Sequence, residues 1–200
     1  TLRSRWSVDC PTNPDPRRAE RITYPMPRIY RPDPVFHTYI GIDPGLSGGI
    51  ARINGEKIEA GKMPSTELDI FNFLKPVPTV GGLRKPFAVI EKVGGYVGGG
   101  DGEKGGGRAN GSAMFKFGMS YGGLRMALIA LKIPFEEITP REWQKLLGVG
   151  VKGKTETKTE FKNRLKAKAQ QLFPDVSVTL STSDALLLAE FCRRKKEGRL

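Results

Sequence analysis

The hydrophobic pattern begins at residue 38 and alternates between two periods from there on. Thr38-Tyr39-Ile40-Gly41-Ile42-Asp43 is a short apolar run ended by Pro44-Gly45, which reads as a buried strand. Ile50-Ala51-Arg52-Ile53 and Glu56–Ala60 read as two further strands, joined by Asn54-Gly55, the strongest short hairpin signal. Ser65–Leu74 carries Leu68, Phe71 and Leu74 at helical spacing, with Ser65 as the expected N-cap. Pro86-Phe87-Ala88-Val89-Ile90-Glu91 is a second buried strand.

A glycine-rich loop spans 94–111, and 112–132 reads as a helix with Phe117, Tyr121, Leu124, Leu128 and Leu131 on its inner face. Gly122-Gly123 in that helix suggests close approach of another backbone. Ile133–Ile138 is a short strand. Thr139-Pro140-Arg141-Glu142 combines a capping box with Pro at the first helical position, so a short helix should run to Leu147. Thr157–Glu160 is another capping box, opening a helix with Phe161, Leu165, Ala169 and Leu172 inward; Ser183 caps a last helix with Leu187, Leu188 and Phe191 inward. The order βββ-α-β-α-β-α-α-α predicts an α/β domain, a mixed five-stranded sheet flanked by helices, over 38–200.

Residues 1–37 are different. Seven prolines and seven arginines, with no lysine, exclude a long helix or central strand, so this segment should be an extended arm. Its Trp6, Tyr24 and Tyr30 could stack on bases. The chain opens on Thr1, as it would after removal of an organelle transit peptide, and equally as an arbitrary fragment.

Charge adds a partner class. The net charge is +12, and nine Lys/Arg face three acids between Arg141 and Lys168. Such clustering points to a polyanion, branched DNA or structured RNA. The expected contacts are Lys104 and Arg108 in the glycine loop, Lys152 and Lys154 in the 149–155 loop, Lys158, Lys162 and Lys166 on the helix after it, and Arg193 and Arg194 near the C-terminus. No run approaches the roughly 18 apolar residues of a membrane span, so no membrane partner is expected. The two cysteines, Cys10 and Cys192, lack metal-ligand spacing and fit a reducing, intracellular compartment, the mitochondrial matrix included.

Three acids stand where chemistry would want them. Asp43 ends the first buried strand, Glu91 ends the fourth, and Asp184 opens the last helix. Clustered carboxylates repel unless a cation neutralises them, and hard oxygen donors suit Mg²⁺, with Mn²⁺ as a substitute. Two such ions about 4 Å apart activate water in phosphodiester hydrolysis. Taken singly, each acid has a plainer explanation: a turn residue, a solvated strand end, a helix N-terminal acid favoured by the dipole.

With these residues in place, Tyr39-Ile-Gly-Ile-Asp43-Pro-Gly-Leu-Ser-Gly-Gly-Ile50 resembles the first motif of RuvC-type Holliday junction resolvases. Val89-Ile-Glu91-Lys-Val93 is similar to their second motif and Ser183-Asp184-Ala-Leu-Leu-Leu-Ala-Glu190 to their last. Ser112–Gly118 and Ile133–Gln144 resemble the phage-like and organelle branch of that family. The resemblance implies a ribonuclease H-like fold, usually dimeric, with Asp43, Glu91 and Asp184 as catalytic metal ligands and Tyr96 as a stacking residue near the junction. Such enzymes commonly carry a fourth acidic or His ligand shortly before the last Asp; Val178–Ser183 contains neither. That departure, with the Arg/Pro arm, keeps a second reading open: a fold retained as a structural nucleic-acid-binding module in a large ribonucleoprotein such as an organelle ribosome.

Overall fold

A computed structural model describes residues 38–75, 85–93 and 111–200, together with the backbone of 78–79 and 82–83. The arm expected over 1–37 lies outside the described residues, as does the glycine-rich loop up to residue 110, with Tyr96, Lys104 and Arg108.

The elements are β1 (Thr38–Asp43), β2 (Gly49–Asn54), β3 (Lys57–Lys62), α1 (Glu67–Leu74), β4 (Pro78–Thr79), β5 (Gly82–Leu83), β6 (Pro86–Glu91), α2 (Gly111–Ala130), β7 (Phe135–Ile138), α3 (Pro140–Leu146), α4 (Lys158–Leu172) and α5 (Ser183–Lys196). The five-stranded sheet has the order β3-β2-β1-β6-β7, and β4-β5 is a separate two-stranded ladder that the Pro/Gly composition of 75–85 did not announce. β1, β2 and β3 pair antiparallel, while β6 joins β1 and β7 joins β6 in parallel. The mixed sheet expected from the sequence is therefore present, with the opening meander on one side and the crossover strands on the other.

Strand alternation sorts the core into two layers. Tyr39, Ala51, Ile53, Phe87, Val89 and Ile138 pack with Trp143 of α3, Leu165 and Ala169 of α4, and α5. Ile40, Ile42, Ile50, Ala88 and Ile90 face the other way, against Ile70 and Leu74 of α1 and Leu124 and Leu128 of α2. Every residue of α5 from Ser183 to Cys192 is buried, more of the helix than the Leu187, Leu188 and Phe191 stripe implies. Its close seating depends on Gly41. A Cβ there would lie 2.2 Å from both the Ala185 carbonyl oxygen and the Ala189 nitrogen, so only glycine lets the helix backbone rest on β1.

Several local expectations change. Thr66, not Ser65, caps α1, its side chain accepting from the Asp69 N–H at 3.1 Å. Leu68 is exposed, and the inward positions are Ile70 and Leu74, four residues apart on one face of α1. Thr139 is the α3 N-cap with Pro140 at N1, but its side chain makes no cap bond. Thr182 precedes α5, and Ser183 belongs to the helix. Nothing lies within 4 Å of a Cβ placed on Gly122, so the pair Gly122-Gly123 receives no neighbouring backbone. The Thr157–Glu160 capping box forms in both directions, with Glu160 accepting from the Thr157 N–H at 2.8 Å.

Candidate active site

β1 and β6 run parallel in register, Gly41 beside Val89 and Ile42 beside Ile90. The next residues, Asp43 and Glu91, thus end neighbouring strands at the same sheet edge, and adjacent strands lie about 4.8 Å apart. Parity places both on the face where Tyr39, Phe87 and Val89 meet α5. On that face α5 begins, and Asp184 is in its first turn. Sheet register, pleat and the glycine-seated helix together bring the three predicted acids to one corner.

The corner is largely buried and crowded with acids. Asp43 and Asp184 are buried. Burial, then the fields of Glu91 and Asp184, push the Asp43 carboxyl up to about 7, against an opposing pull from Lys162. Burial also raises Glu91; the Trp143 hydrogen bond opposes this and Asp184 adds to it. The turn after β1 folds tightly over Asp43: a Cβ on Gly48 would lie 2.1 Å from the Asp43 carbonyl oxygen, and the Gly48 N–H donates to the Gly45 carbonyl at 3.0 Å.

Two residues that composition and motif spacing did not single out for the site belong to it. Trp143 of α3, fully buried, donates its indole N–H to Glu91 Oε1 at 2.9 Å and fixes that carboxylate. Lys162 of α4, expected to grip phosphate, instead bonds Asp184 Oδ2 through Nζ at 2.7 Å. Burial works against its charge, but the Asp184 bond and the fields of all three acids outweigh it and raise its pKa. The only sequence signal for either was indirect: Lys162 lies one turn past a capped helix start, and Trp143 one turn past Thr139-Pro140. Ser183 Oγ lies 3.1 Å from Asp184 Oδ1 and 3.2 Å from the Leu180 carbonyl, so its single proton serves one acceptor at a time.

The donor set of three carboxylates matches what a hard divalent ion takes. Among the described residues, no group of three or more His, Cys, Asp and Glu side chains is arranged to enclose an ion as it stands; Asp184 is engaged with an ammonium instead.

The remaining predicted contacts distribute unevenly. Lys158, Lys162 and Lys166 fall at successive turns of one α4 face, so the stripe runs past the acidic corner. Lys152 and Lys154 are exposed in the preceding loop, Lys152 donating to the Glu156 carbonyl at 2.7 Å. Arg164 pins that loop, bonding the Val149 and Val151 carbonyls and the Glu156 carboxylate. Arg193 and Arg194 sit in the last turn of α5, away from Asp184 in its first, and both pair with the buried Glu190, at 2.5 and 2.7 Å.

A mixed five-stranded sheet in this order, with helices on both faces, is the fold that the chain shares with solved RuvC structures. Among solved structures, the chain is similar to Thermus thermophilus RuvC in complex with a Holliday junction substrate, at TM-score 0.50 and 13% identity over 81% of this chain and 97% of that one. A second structure of Thermus thermophilus RuvC aligns with TM-score 0.49 and 14% identity over the same shares. At such identity the likeness speaks for the fold alone. No protein-family model matches the chain, and no curated protein matches it in sequence.

Proposed function

We propose that this chain is a metal-dependent endonuclease that cuts branched DNA by phosphodiester hydrolysis. The observation that carries the reading is the convergence of Asp43, Glu91 and Asp184 from β1, β6 and α5 on one buried corner, beside a lysine stripe. Asp43 and Glu91, whose carboxyl pKa values are raised by burial and by neighbouring acids at a sheet edge next to cationic side chains, are candidates for cation-assisted chemistry.

Asp43, Glu91 and Asp184 would hold Mg²⁺ or Mn²⁺, which supplies water activation and neutralises charge on the phosphate. The chain's own residues prepare the site. Trp143 fixes Glu91, Lys162 fixes Asp184, and the tight turn Gly45–Gly48 packs against Asp43. Lys158 and Lys166, with Lys152 and Lys154, offer a phosphate track leading to the corner; such contacts position a backbone without reading its sequence.

The outer face of α2 supports a dimer. Phe115, Met119, Met126 and Ile129 are 68%, 58%, 61% and 57% exposed, and their 4-7-3 spacing, with Gly122 between, is that of a helix–helix seam. Such a stripe is self-complementary about a two-fold axis, which suits a second copy of this chain.

The test is incubation of the protein with a synthetic four-way junction and Mg²⁺. Cleavage lost in Asp43→Asn supports the reading. No cleavage by the unaltered chain, or equal cleavage by that variant, removes it. A second reading, a structural module bound to structured RNA in a large particle, is favoured by the absence of an acid in Val178–Ser183 and by the lysine seated on Asp184. Tight binding of junction or RNA without cleavage would select it.

A further inference from the structure

The net charge of the acidic corner limits what it can take up. With all three carboxylates ionised, as cation binding requires, they contribute −3, and the Lys162 ammonium, 2.7 Å from Asp184 Oδ2 and electrostatically coupled to Asp43 and Glu91, reduces this to −2. That residue is one divalent cation's worth of charge. A second divalent ion would face a neutral corner and has no further ligand, since Val178–Ser183 offers only hydroxyls and Ser183 Oγ already lies against Asp184.

We propose that Lys162 is the resident counter-ion of this corner, standing where a second cation would otherwise act, so that the chain binds one divalent ion and not two. The inference rests on the reading of the corner as a metal site. Lys162 is delivered there by construction. The two-way capping box at Thr157 and Glu160 sets where α4 starts, and buried Leu165 and Ala169 set its rotation. Together they bring the 162 side chain onto the start of α5. The ammonium is half-shielded, with 35% of the side chain exposed, and its partner Asp184 is nearly closed off at 8%. A fixed monovalent charge bonded to one of the three candidate ligands weakens divalent binding, because the two cations repel in a partly shielded setting. Its neighbours Lys158 and Lys166 are exposed or half-exposed on the same face and remain available to phosphate.

The experiment is a Mn²⁺ titration of the full chain, with free Mn²⁺ read by electron paramagnetic resonance and heat by calorimetry. The unaltered protein should bind one Mn²⁺. Lys162→Met should bind it at least about tenfold more tightly or take up a second ion, the direction expected when a like charge is removed. Lys162→Arg, which keeps the charge, should behave as the unaltered chain does. Circular dichroism and a melting curve check the fold, and Lys162→Gln replaces the Met variant if that one does not fold. Two ions on the unaltered chain, unchanged stoichiometry and affinity in Lys162→Met and Lys162→Gln, or no Mn²⁺ binding by any form would each overturn the proposal. One ion with the Lys162 effect, but no junction cleavage, would leave it standing and remove the nuclease reading instead.

Discussion

Trp143 and Glu91 are 52 residues apart in sequence and joined by one hydrogen bond of 2.9 Å, indole N–H to carboxylate oxygen. The bond ties α3 to the end of β6, and Trp143 has no solvent exposure. Trp143→Phe keeps an aromatic ring but removes the donor and part of the volume. We expect a loss of about 2–3 kcal/mol in denaturant unfolding, from the unpaired carboxylate and the space left behind. Cleavage should fall further than that stability loss explains, because Glu91 loses its orientation. A cost below about 0.5 kcal/mol would mean the bond is not made in solution.

Asp43 should make the chain's stability fall with rising pH. Its carboxyl is pushed from the ordinary value near 3.8 up to about 7, so the native state binds the proton more tightly than the unfolded one. The penalty is absent below about pH 4, grows between there and pH 7, and is complete above, reaching a few kcal/mol in order of magnitude. Glu91 is shifted the same way by burial and adds to the trend. Melting curves in EDTA, unaltered chain against Asp43→Asn, should diverge in favour of the variant as pH rises from 4 to 8. Added Mg²⁺ should close that gap. Parallel curves would show that Asp43 is not held in a charged, buried corner.

Gly41→Ala tests how α5 sits. The new Cβ would meet two α5 backbone atoms at 2.2 Å, and neither is the end of a flexible side chain. Helix and strand must separate, at a cost of about 3 kcal/mol or more, the upper range for overpacking. Junction cleavage should be lost along with stability, since Asp184 rides on the displaced helix. A melting temperature within two degrees of the unaltered protein would contradict the close contact.

Nucleic-acid affinity should depend on the α4 stripe. Changing Lys158 and Lys166 together to Ala removes two phosphate contacts, which should flatten the slope of log affinity against log salt by roughly two. The loss should be the same for junctions of different sequence. No change in slope would place the polyanion elsewhere on the chain.

The apolar α2 stripe predicts a concentration-dependent dimer. Met126→Glu puts a charge at its middle, and sedimentation should then report a monomer while the melting of the domain core, built on Leu124 and Leu128, is little changed. If the unaltered chain sediments as a monomer at high micromolar concentration, this face serves something other than a second copy.

The sequence reading and the structure part company in a consistent way. Strand and helix order was legible because apolar runs, the Asn54-Gly55 turn and the capping boxes are local signals. Two of the three acids could be placed at one edge because strand parity is a rule of two: Asp43 and Glu91 each end a run whose odd positions face α5, while Asp184 stood out as the acid at the start of the last helix. What was illegible depends on pairs distant in the chain. Nothing in Lys158–Lys168 distinguishes Lys162 from its neighbours until α4 is docked on α5, and Trp143 looks like any core aromatic until β6 is beside it. Gly41 was read only as part of a strand motif, while the glycines that drew notice, Gly122 and Gly123, meet no neighbouring backbone.

Ten consecutive buried residues make α5 the pillar of the domain, and Asp184 is merely its top course. On the proposed reading, cutting and folding pull in opposite directions in this molecule. Replacing a repelled carboxylate at the corner would strengthen the domain while silencing it, and the lysine track would remain to hold a polyanion. If the corner does cut, a single substitution there would turn it into a binding module that the scaffold holds more firmly.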